Sequence, residues 1–284
     1  MKVGIVLQAR VSSNRFPKKI FAKLPYKSNV TVLERIIDRV KLCKSVDQII
    51  VAIPDTHEDG EIERVCNSLQ ITSFRGSLDN VLERFYLAAK THHLDLVIRL
   101  TGDNPCIDYR VIDELVEMYK RERFDYISNC ADKTYPLGLS AELFTFSALE
   151  QAYKNATLRE EFEHVTPYIY VTHKEEFSIS KLSLEKSYYD IRVTLDTARD
   201  YTLLCEVYDE LFEKNEYFGV DEILDLFERK PWLKQINEEI EQKKVCTNLD
   251  EEILEGIKLL KKQDLFRLEK YLKEKYYGES SSLN

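Results

Sequence analysis

Residues 8–19 read Gln8-Ala9-Arg10-Val11-Ser12-Ser13-Asn14-Arg15-Phe16-Pro17-Lys18-Lys19 and follow directly on an apolar run, Val3–Leu7. Guanidinium and ammonium groups donate to phosphate oxygens and offset their charge, so Arg10, Arg15 and Lys19 suit a triphosphate. Ser12, Ser13, Asn14 and the backbone N–H groups add neutral donors, and Pro17 stiffens the return of the loop. The segment contains no glycine, so it is neither a Walker loop nor a dinucleotide fingerprint, both of which need glycine where backbone meets phosphate. A plain solvated basic loop is the competing reading. The position at the end of a buried strand favours the functional one, because ligands of open α/β sheets bind beyond the carboxyl ends of the strands.

Two carboxylates have matching positions. Leu96-Val97-Ile98-Arg99-Leu100-Thr101-Gly102-Asp103 is an apolar run ending in a turn that delivers Asp103. Ile191-Arg192-Val193-Thr194-Leu195-Asp196 delivers Asp196 in the same way, ahead of a helix starting near Arg199. Taken singly, Asp196 reads as the cap of that helix and Asp103 as a turn residue, with Asp108 the better cap for the helix near Arg110. Taken together they could hold Mg²⁺, which favours a few carboxylates, water and phosphate oxygens.

Further segments are candidates for base and acceptor. Arg75, Gly76, Ser77 and Asp79 lie between a short strand and a helix, where Gly76 would let backbone approach a flat base. The plainer reading is a turn with Ser77 or Asp79 as N-cap. Tyr135, Pro136 and Gly138, with Glu163 and His164 in the stretch Arg159–Tyr168, could line a second-substrate pocket.

The elements that must position these groups alternate. Strand-like runs fall at 3–7, 49–53, 71–74, 95–100, 126–129, 139–146, 177–184 and 191–195, with amphipathic helical spacing between the early ones, behind a Thr31-x-x-Glu34 capping box. Such alternation makes βαβ units and a parallel sheet up to about residue 125 and a mixed one beyond. From Arg199 the pattern is helical, with long charged helices expected at 220–242 and 248–276 and a frayed tail from Glu279. A soft boundary near residue 243 divides a catalytic body, 1–242, from a helical extension, 243–284.

The chain of 284 residues is 44% hydrophobic and 32% charged, with a net charge of -9. A sizeable core is affordable, and general nucleic-acid binding, which needs a broad basic face, is disfavoured. No stretch approaches a membrane span, and the six scattered cysteines lack any Cys-x-x-Cys pair, so a reduced, cytoplasmic protein is expected. Cys106 alone lies in a candidate site loop.

Five ordered blocks resemble the cytidylyltransferases that activate acidic sugars, in the branch of the spore coat polysaccharide biosynthesis proteins. Gln8, Ala9, Arg10, Ser13, Arg15, Pro17 and Lys19 match Q-A-R-x-G-S-x-R-x-P-G-K. Phe74–Phe85 matches F-R-G-S-x-x-x-V-L-x-R-[FY], with Arg84 at its arginine. Arg99–Pro105, Glu163–Tyr168 and Arg192–Tyr201 match R-[IL]-T-G-D-x-P, E-H-V-T-P-Y and R-[LV]-T-x-D-T-x-x-D-[YF]. The resemblance spans about 200 residues and fades after about residue 242. It implies a three-layer nucleotide-diphosphosugar transferase fold with a mixed central sheet. It implies transfer of CMP from CTP to a sugar or small acidic acceptor, with Mg²⁺ and release of pyrophosphate, in polysaccharide precursor synthesis. Arg10, Ser13, Arg15 and Lys19 would then hold triphosphate, and Asp103 and Asp196 metal. The chain departs from the branch at Ser12 and Lys18, usually glycine, and at Ser140-Ala141, often acidic.

Lys19, Arg10 and Asp103 are thus the expected catalytic groups, and a homodimer the expected assembly. A glycosyltransferase on a similar fold is a second reading, disfavoured because Asp103-Asn104-Pro105 is not Asp-x-Asp. A non-catalytic nucleotide-binding subunit, using the apolar residues of the C-terminal helices as a partner surface, is a third.

Overall fold

The computed structural model describes residues 1–240 and 248–278. The chain divides into two compact units, Met1–Glu241 and Gln242–Asn284.

The first unit is built on a seven-stranded sheet of order β3-β2-β1-β4-β6-β5-β7. The strands are β1 (Val3–Gln8), β2 (Gln48–Pro54), β3 (Thr72–Gly76), β4 (Leu96–Thr101), β5 (Tyr126–Ser128), β6 (Glu142–Thr145) and β7 (Ile179–Lys181). β3, β2, β1 and β4 are parallel, as the βαβ spacing requires. β6 runs antiparallel to both β4 and β5, and β7 is parallel to β5.

Among the described residues, the α-helices of this unit are α1 (Val32–Val40), α2 (Gly60–Ser68), α3 (Val81–Thr91), α4 (Tyr109–Arg121), α5 (Phe146–Asn155), α6 (Arg159–His164), α7 (Ala198–Leu211) and α8 (Val220–Arg229). One face of the sheet packs on α1, α2, α4, α7 and α8 through Leu7, Ile36, Ile98, Leu115, Leu204 and Ile223. The other packs on α3 and α5 through Val6, Val97, Leu82, Phe85 and Leu149. Strand residues alternate between these clusters because successive side chains point to opposite faces. Each fully buried aliphatic side chain stabilises the fold by about 1.5–3 kcal/mol.

Local chemistry sets the helix starts. Thr31 and Glu34 form the expected reciprocal capping box on α1, and Asp108 caps α4 through the Arg110 N–H. Each such cap contributes about 1 kcal/mol. Three expectations change. The N-cap of α3 is Asn80, which accepts from Glu83 N–H, while Ser77 Oγ accepts from Asn80 N–H instead. The cap of α7 is Thr197, in a box with Asp200, so Asp196 is not spent on capping. Residues 191–195 are not a sheet strand. They run extended against the 134–139 loop, bridged at Leu137 and Arg192, because their backbone bonds go to that loop and to Asp103.

The expected helix over 220–242 stops at Arg229, because Pro231 begins a 3-10 segment, Pro231–Ile236. In the second unit the run 248–276 is two helices, α9 (Leu249–Lys262) and α10 (Phe266–Tyr277), separated at Asp264, whose φ is +56°. The tail from Glu279 lies outside the described residues. Among the described residues no helix is long and apolar enough to cross a membrane.

Candidate active site

Three chain segments converge at the carboxyl end of β1 and β4. In the β1–β4 register Gln8 faces Thr101, so the loop after each strand starts beside the other. Gly102 N–H donates to Gln8 O at 2.9 Å. A Cβ at Gly102 would stand 3.1 Å from Ile20 Cδ1 and 3.2 Å from Gln8 O, so glycine lets the two loops interlock. The third segment, 191–196, is clamped on by Leu195 N–H to Asp103 O at 2.8 Å and by Thr194 Oγ1 to the same oxygen at 3.2 Å. It is held from behind by Gly138. That residue has φ +104°, and a Cβ there would sit 2.5 Å from Thr194 N and Val193 C.

Lys19 stands at the meeting point. Ile20 is buried in the core and anchors a short 3-10 turn, Lys19–Phe21. The Lys19 ammonium donates to Asp103 Oδ2 at 3.2 Å, Asp196 Oδ1 at 2.9 Å and Leu195 O at 2.8 Å. All three of its protons are thereby engaged. Arg15 reaches the other Asp196 oxygen at 3.1 Å, where Arg192 also donates at 2.9 Å. Burial pushes the Asp196 pKa up, but Lys19, Arg15 and Arg192 outweigh it and hold the carboxyl below its ordinary value. Arg192 is itself fixed by Asp200 at 2.9 Å, and Asn237 donates to Asp200 at 2.9 Å and to Arg192 O at 3.0 Å.

Thus Lys19, Arg15, Asp103 and Asp196, distant in sequence, meet around one point. Thr101 Oγ1 donates to the second Asp103 oxygen at 2.6 Å and aims it. Arg10 and Ser12 are exposed at the loop's outer rim. Ser13 Oγ accepts from Phe16 N–H at 3.5 Å and so braces the loop. Lys18, where the related pattern has glycine, has φ +56°, a left-handed conformation that costs a non-glycine residue about 1–2 kcal/mol. The backbone path of a glycine is therefore kept with a lysine in it.

The residues fit a divalent cation. Two carboxylates already share one positive centre, the Lys19 ammonium, and both are hard oxygen donors. Among the described residues no cluster of three or more His, Cys, Asp or Glu is placed to hold a metal. Substrate oxygens and water would supply the remaining ligands, the usual arrangement for Mg²⁺.

Other expected site residues sit elsewhere. Arg75 is engaged at its outer edge by Glu63 at 2.9 Å, Asp55 at 3.2 Å and Thr56 O at 3.1 Å. The space beside Gly76 is filled by Arg84, whose Cγ would be 2.9 Å from a Cβ, rather than left open for a base. Asp79 is exposed. Tyr135 turns into the core, where burial raises its pKa to about 12, so its ring does not line an open pocket; Pro136 is buried as well. Glu163 is exposed and lies 3.9 Å from Arg159. His164 is half-buried, and burial keeps its pKa below the ordinary histidine value. Cys106 is fully buried, with its thiol pushed up to about 12 by burial, and is a packing residue.

Sequence reasoning missed Glu142. Its Oε1 accepts from Tyr126 Oη and Thr166 Oγ1, each at 2.7 Å, and its Oε2 pairs with Arg99. A carboxylate inside the apolar run 139–146 was the available signal. Thr166 is aimed by a tight turn at Val165, whose φ of +72° is rare for a β-branched residue and is closed by Thr166 N–H to His164 O at 2.9 Å. Strain of this kind concentrates at functional sites.

The sequence profile of the cytidylyltransferase family matches residues 4–278. The chain belongs to that family. The match continues through α9 and α10, past the point where the block-by-block resemblance fades. Among similar proteins, an uncharacterized protein of Methanocaldococcus jannaschii is 41% identical over 86% of this chain and 97% of its own length. The spore coat polysaccharide biosynthesis protein SpsF of Bacillus subtilis is 29% identical over 80% of this chain and 94% of its own. A solved cytidylyltransferase from Leptospira borgpetersenii superposes with a TM-score of 0.77 at 30% identity, covering 85% of this chain and all of that one.

Proposed function

We propose that this cytidylyltransferase moves the CMP unit of CTP onto an oxygen of a sugar or small acidic acceptor, releasing pyrophosphate, to supply activated precursors for surface glycans. The observation that carries the reading is the Lys19 ammonium, poised between Asp103 and Asp196 at the end of the sheet. The kinship with a polysaccharide biosynthesis protein supports the sugar acceptor.

The acceptor oxygen attacks the α-phosphorus while the bond to pyrophosphate breaks in line. The protein's part is to position and to neutralise. Arg10, Ser13 and Arg15 bind the triphosphate along the β1 loop. Lys19 shifts from the aspartates onto phosphate oxygens and offsets the charge that grows there. Asp103 and Asp196 would hold Mg²⁺, which neutralises phosphate charge and polarises the phosphorus when bound. Arg192 and Asp200 keep Asp196 from following Lys19. On the acceptor side, His164 stays neutral near pH 7 and offers a hydrogen-bonding ring beside the Arg99–Glu142 pair.

A thermal-shift screen of the four nucleoside triphosphates, with and without Mg²⁺, tests the reading. Selective, Mg²⁺-dependent stabilisation by CTP is expected, followed by pyrophosphate release with a member of a sugar-acid and sugar panel. Stabilisation by nucleotide sugars, with release of a nucleoside diphosphate, would replace it by glycosyl transfer.

A further inference from the structure

Asp59 is a buried carboxylate with no part in the transfer steps above. It stands at the N-cap of α2 and is 2% exposed. A carboxylate at that position ordinarily caps its own helix. Asp59 makes no side-chain cap bond. The helix does not need one. Gly60 N–H donates to His57 O at 3.2 Å, Glu61 N–H to Glu58 O at 3.2 Å and Ile62 N–H to Asp59 O at 3.0 Å.

The side chain is turned onto the β1 loop instead. Its Oδ1 accepts from Val11 N–H at 2.7 Å, a buried bond between residues 48 positions apart. Its Oδ2 accepts from Thr56 Oγ1 at 2.7 Å, and Asp59 N–H donates back to that hydroxyl at 3.3 Å, which fixes the carboxylate's orientation. A backbone donor on an ionised acceptor is among the stronger hydrogen bonds, and burial shields this one from water.

That bond pins the loop where it leaves the sheet. Ala9 N–H still donates to Ala52 O at 3.1 Å, as a strand residue would. Ala9 and Val11 are buried in the core, whereas Arg10 and Ser12 are exposed. This is the alternation of an extended chain, so fixing Val11 fixes which way its two neighbours face. Further along, the loop is held more lightly, by Ser13 Oγ at 3.5 Å from Phe16 N and by Arg15 on Asp196. The Val11 N–H, spent on a carboxylate, is not offered to phosphate, and the grip of this glycine-free loop falls to its side chains.

We propose that Asp59 is a positioning residue for the nucleotide: through Val11 it sets the start of the β1 loop so that Arg10 and Ser12 are presented to the triphosphate. This rests on the nucleotidyl-transfer reading above and adds a residue that touches no substrate. Charge alone makes the opposite prediction. Asp59 is an anion among cations: burial holds the Arg84 pKa down to about 10, while Asp59 favours its charge and Arg10 opposes it. Removing the anion leaves the neighbourhood more positive, which by itself tightens polyphosphate binding. Positioning requires that binding weaken, so the sign of the change separates the two.

The test is calorimetric titration of the full chain, with Mg²⁺, by inorganic tripolyphosphate and by CTP. Wild type is compared with Asp59→Ala, which removes the acceptor, and Asp59→Asn, which keeps an oxygen for Val11 N–H without the charge. Circular dichroism and melting report folding. Misplacement by about 1 Å costs up to about 100-fold. The expected result is binding about tenfold or more weaker in Asp59→Ala, at wild-type stoichiometry, and within about threefold of wild type in Asp59→Asn. Unchanged or tighter binding by folded Asp59→Ala would overturn the inference. So would a loss in Asp59→Asn as large as in Asp59→Ala, or a lower melting temperature and stoichiometry at unchanged Kd, which would make Asp59 a purely structural residue. If Asp59→Ala does not fold, Thr56→Val, which frees Oδ2 and keeps the charge, decides: binding about threefold or more weaker supports the inference, and wild-type affinity overturns it. If wild type binds neither ligand, the nucleotidyl-transfer reading falls and takes this inference with it.

Discussion

Replacing Lys19 by methionine removes the ammonium and keeps most of the side chain's apolar stem. The three acceptors around Nζ, at 2.8, 2.9 and 3.2 Å, fare differently. Asp196 keeps Arg15 and Arg192, so its charge stays compensated. Asp103 keeps only the Thr101 hydroxyl, and Leu195 O loses its side-chain donor. Hydrogen bonds to charged groups are worth about 1.5–3 kcal/mol each, but the Asp103 side chain is 28% exposed and water replaces part of the loss. A stability loss of about 2 kcal/mol follows from these terms. Turnover should suffer more, since no water replaces a preorganised cation at the reacting phosphate. Loss of one such donor costs about 10²–10³ in kcat, or about 2.7–4 kcal/mol. The assay is the initial rate of pyrophosphate release, with the acceptor that supports wild-type turnover, alongside urea unfolding. Lys19→Arg should recover less than about a tenth of the rate, because a planar fork does not satisfy three acceptors around one point. A Lys19→Met rate within about threefold of wild type, in a folded protein, would refute the placement of the reacting phosphate.

Other consequences can be measured separately. Asp196 has a depressed pKa, so its contribution is complete above the ordinary carboxylate range and is lost as pH falls through the lower folded value. Asp196→Asn should therefore be less stable than wild type at pH 7 by about 1–3 kcal/mol, with the gap closing in strong acid; urea midpoints across pH check this. Gly138→Ala should destabilise by about 3 kcal/mol or more, because φ +104° and a 2.5 Å contact with Thr194 N leave no room, and it should depress turnover by shifting the 191–196 segment. Lys18→Gly should raise stability by about 0.5–1 kcal/mol, read as a higher melting temperature, by relieving the left-handed lysine. Its exposed pairing with Glu61 at 3.4 Å offers little to lose.

Much of the body was legible because its signals are local. Alternating β-type and helical periodicity located the parallel half of the sheet, and the capping pattern at Thr31 started α1 where expected. The cationic loop and the strand-end Asp103 were legible for the same reason, since an apolar run that breaks into charged residues marks a sheet edge. The stretch 191–195 misled because alternating burial looks the same whether a segment pairs in the sheet or lies against a loop. Long helices were expected at 220–242 and 248–276 because charge and leucine spacing continue through Pro231 and Asp264, where the backbone turns.

By itself the sequence determined which elements form and which charged groups stand at their ends, since periodicity, caps and apolar runs act over a few residues. The tertiary structure alone decided that Lys19 bridges Asp103 and Asp196, that Tyr135 turns inward, that Glu142 neutralises Arg99, and that the Arg84 stem fills the space beside Gly76. Those outcomes depend on strand order and register, which join residues up to 177 positions apart, and no local pattern carries that information.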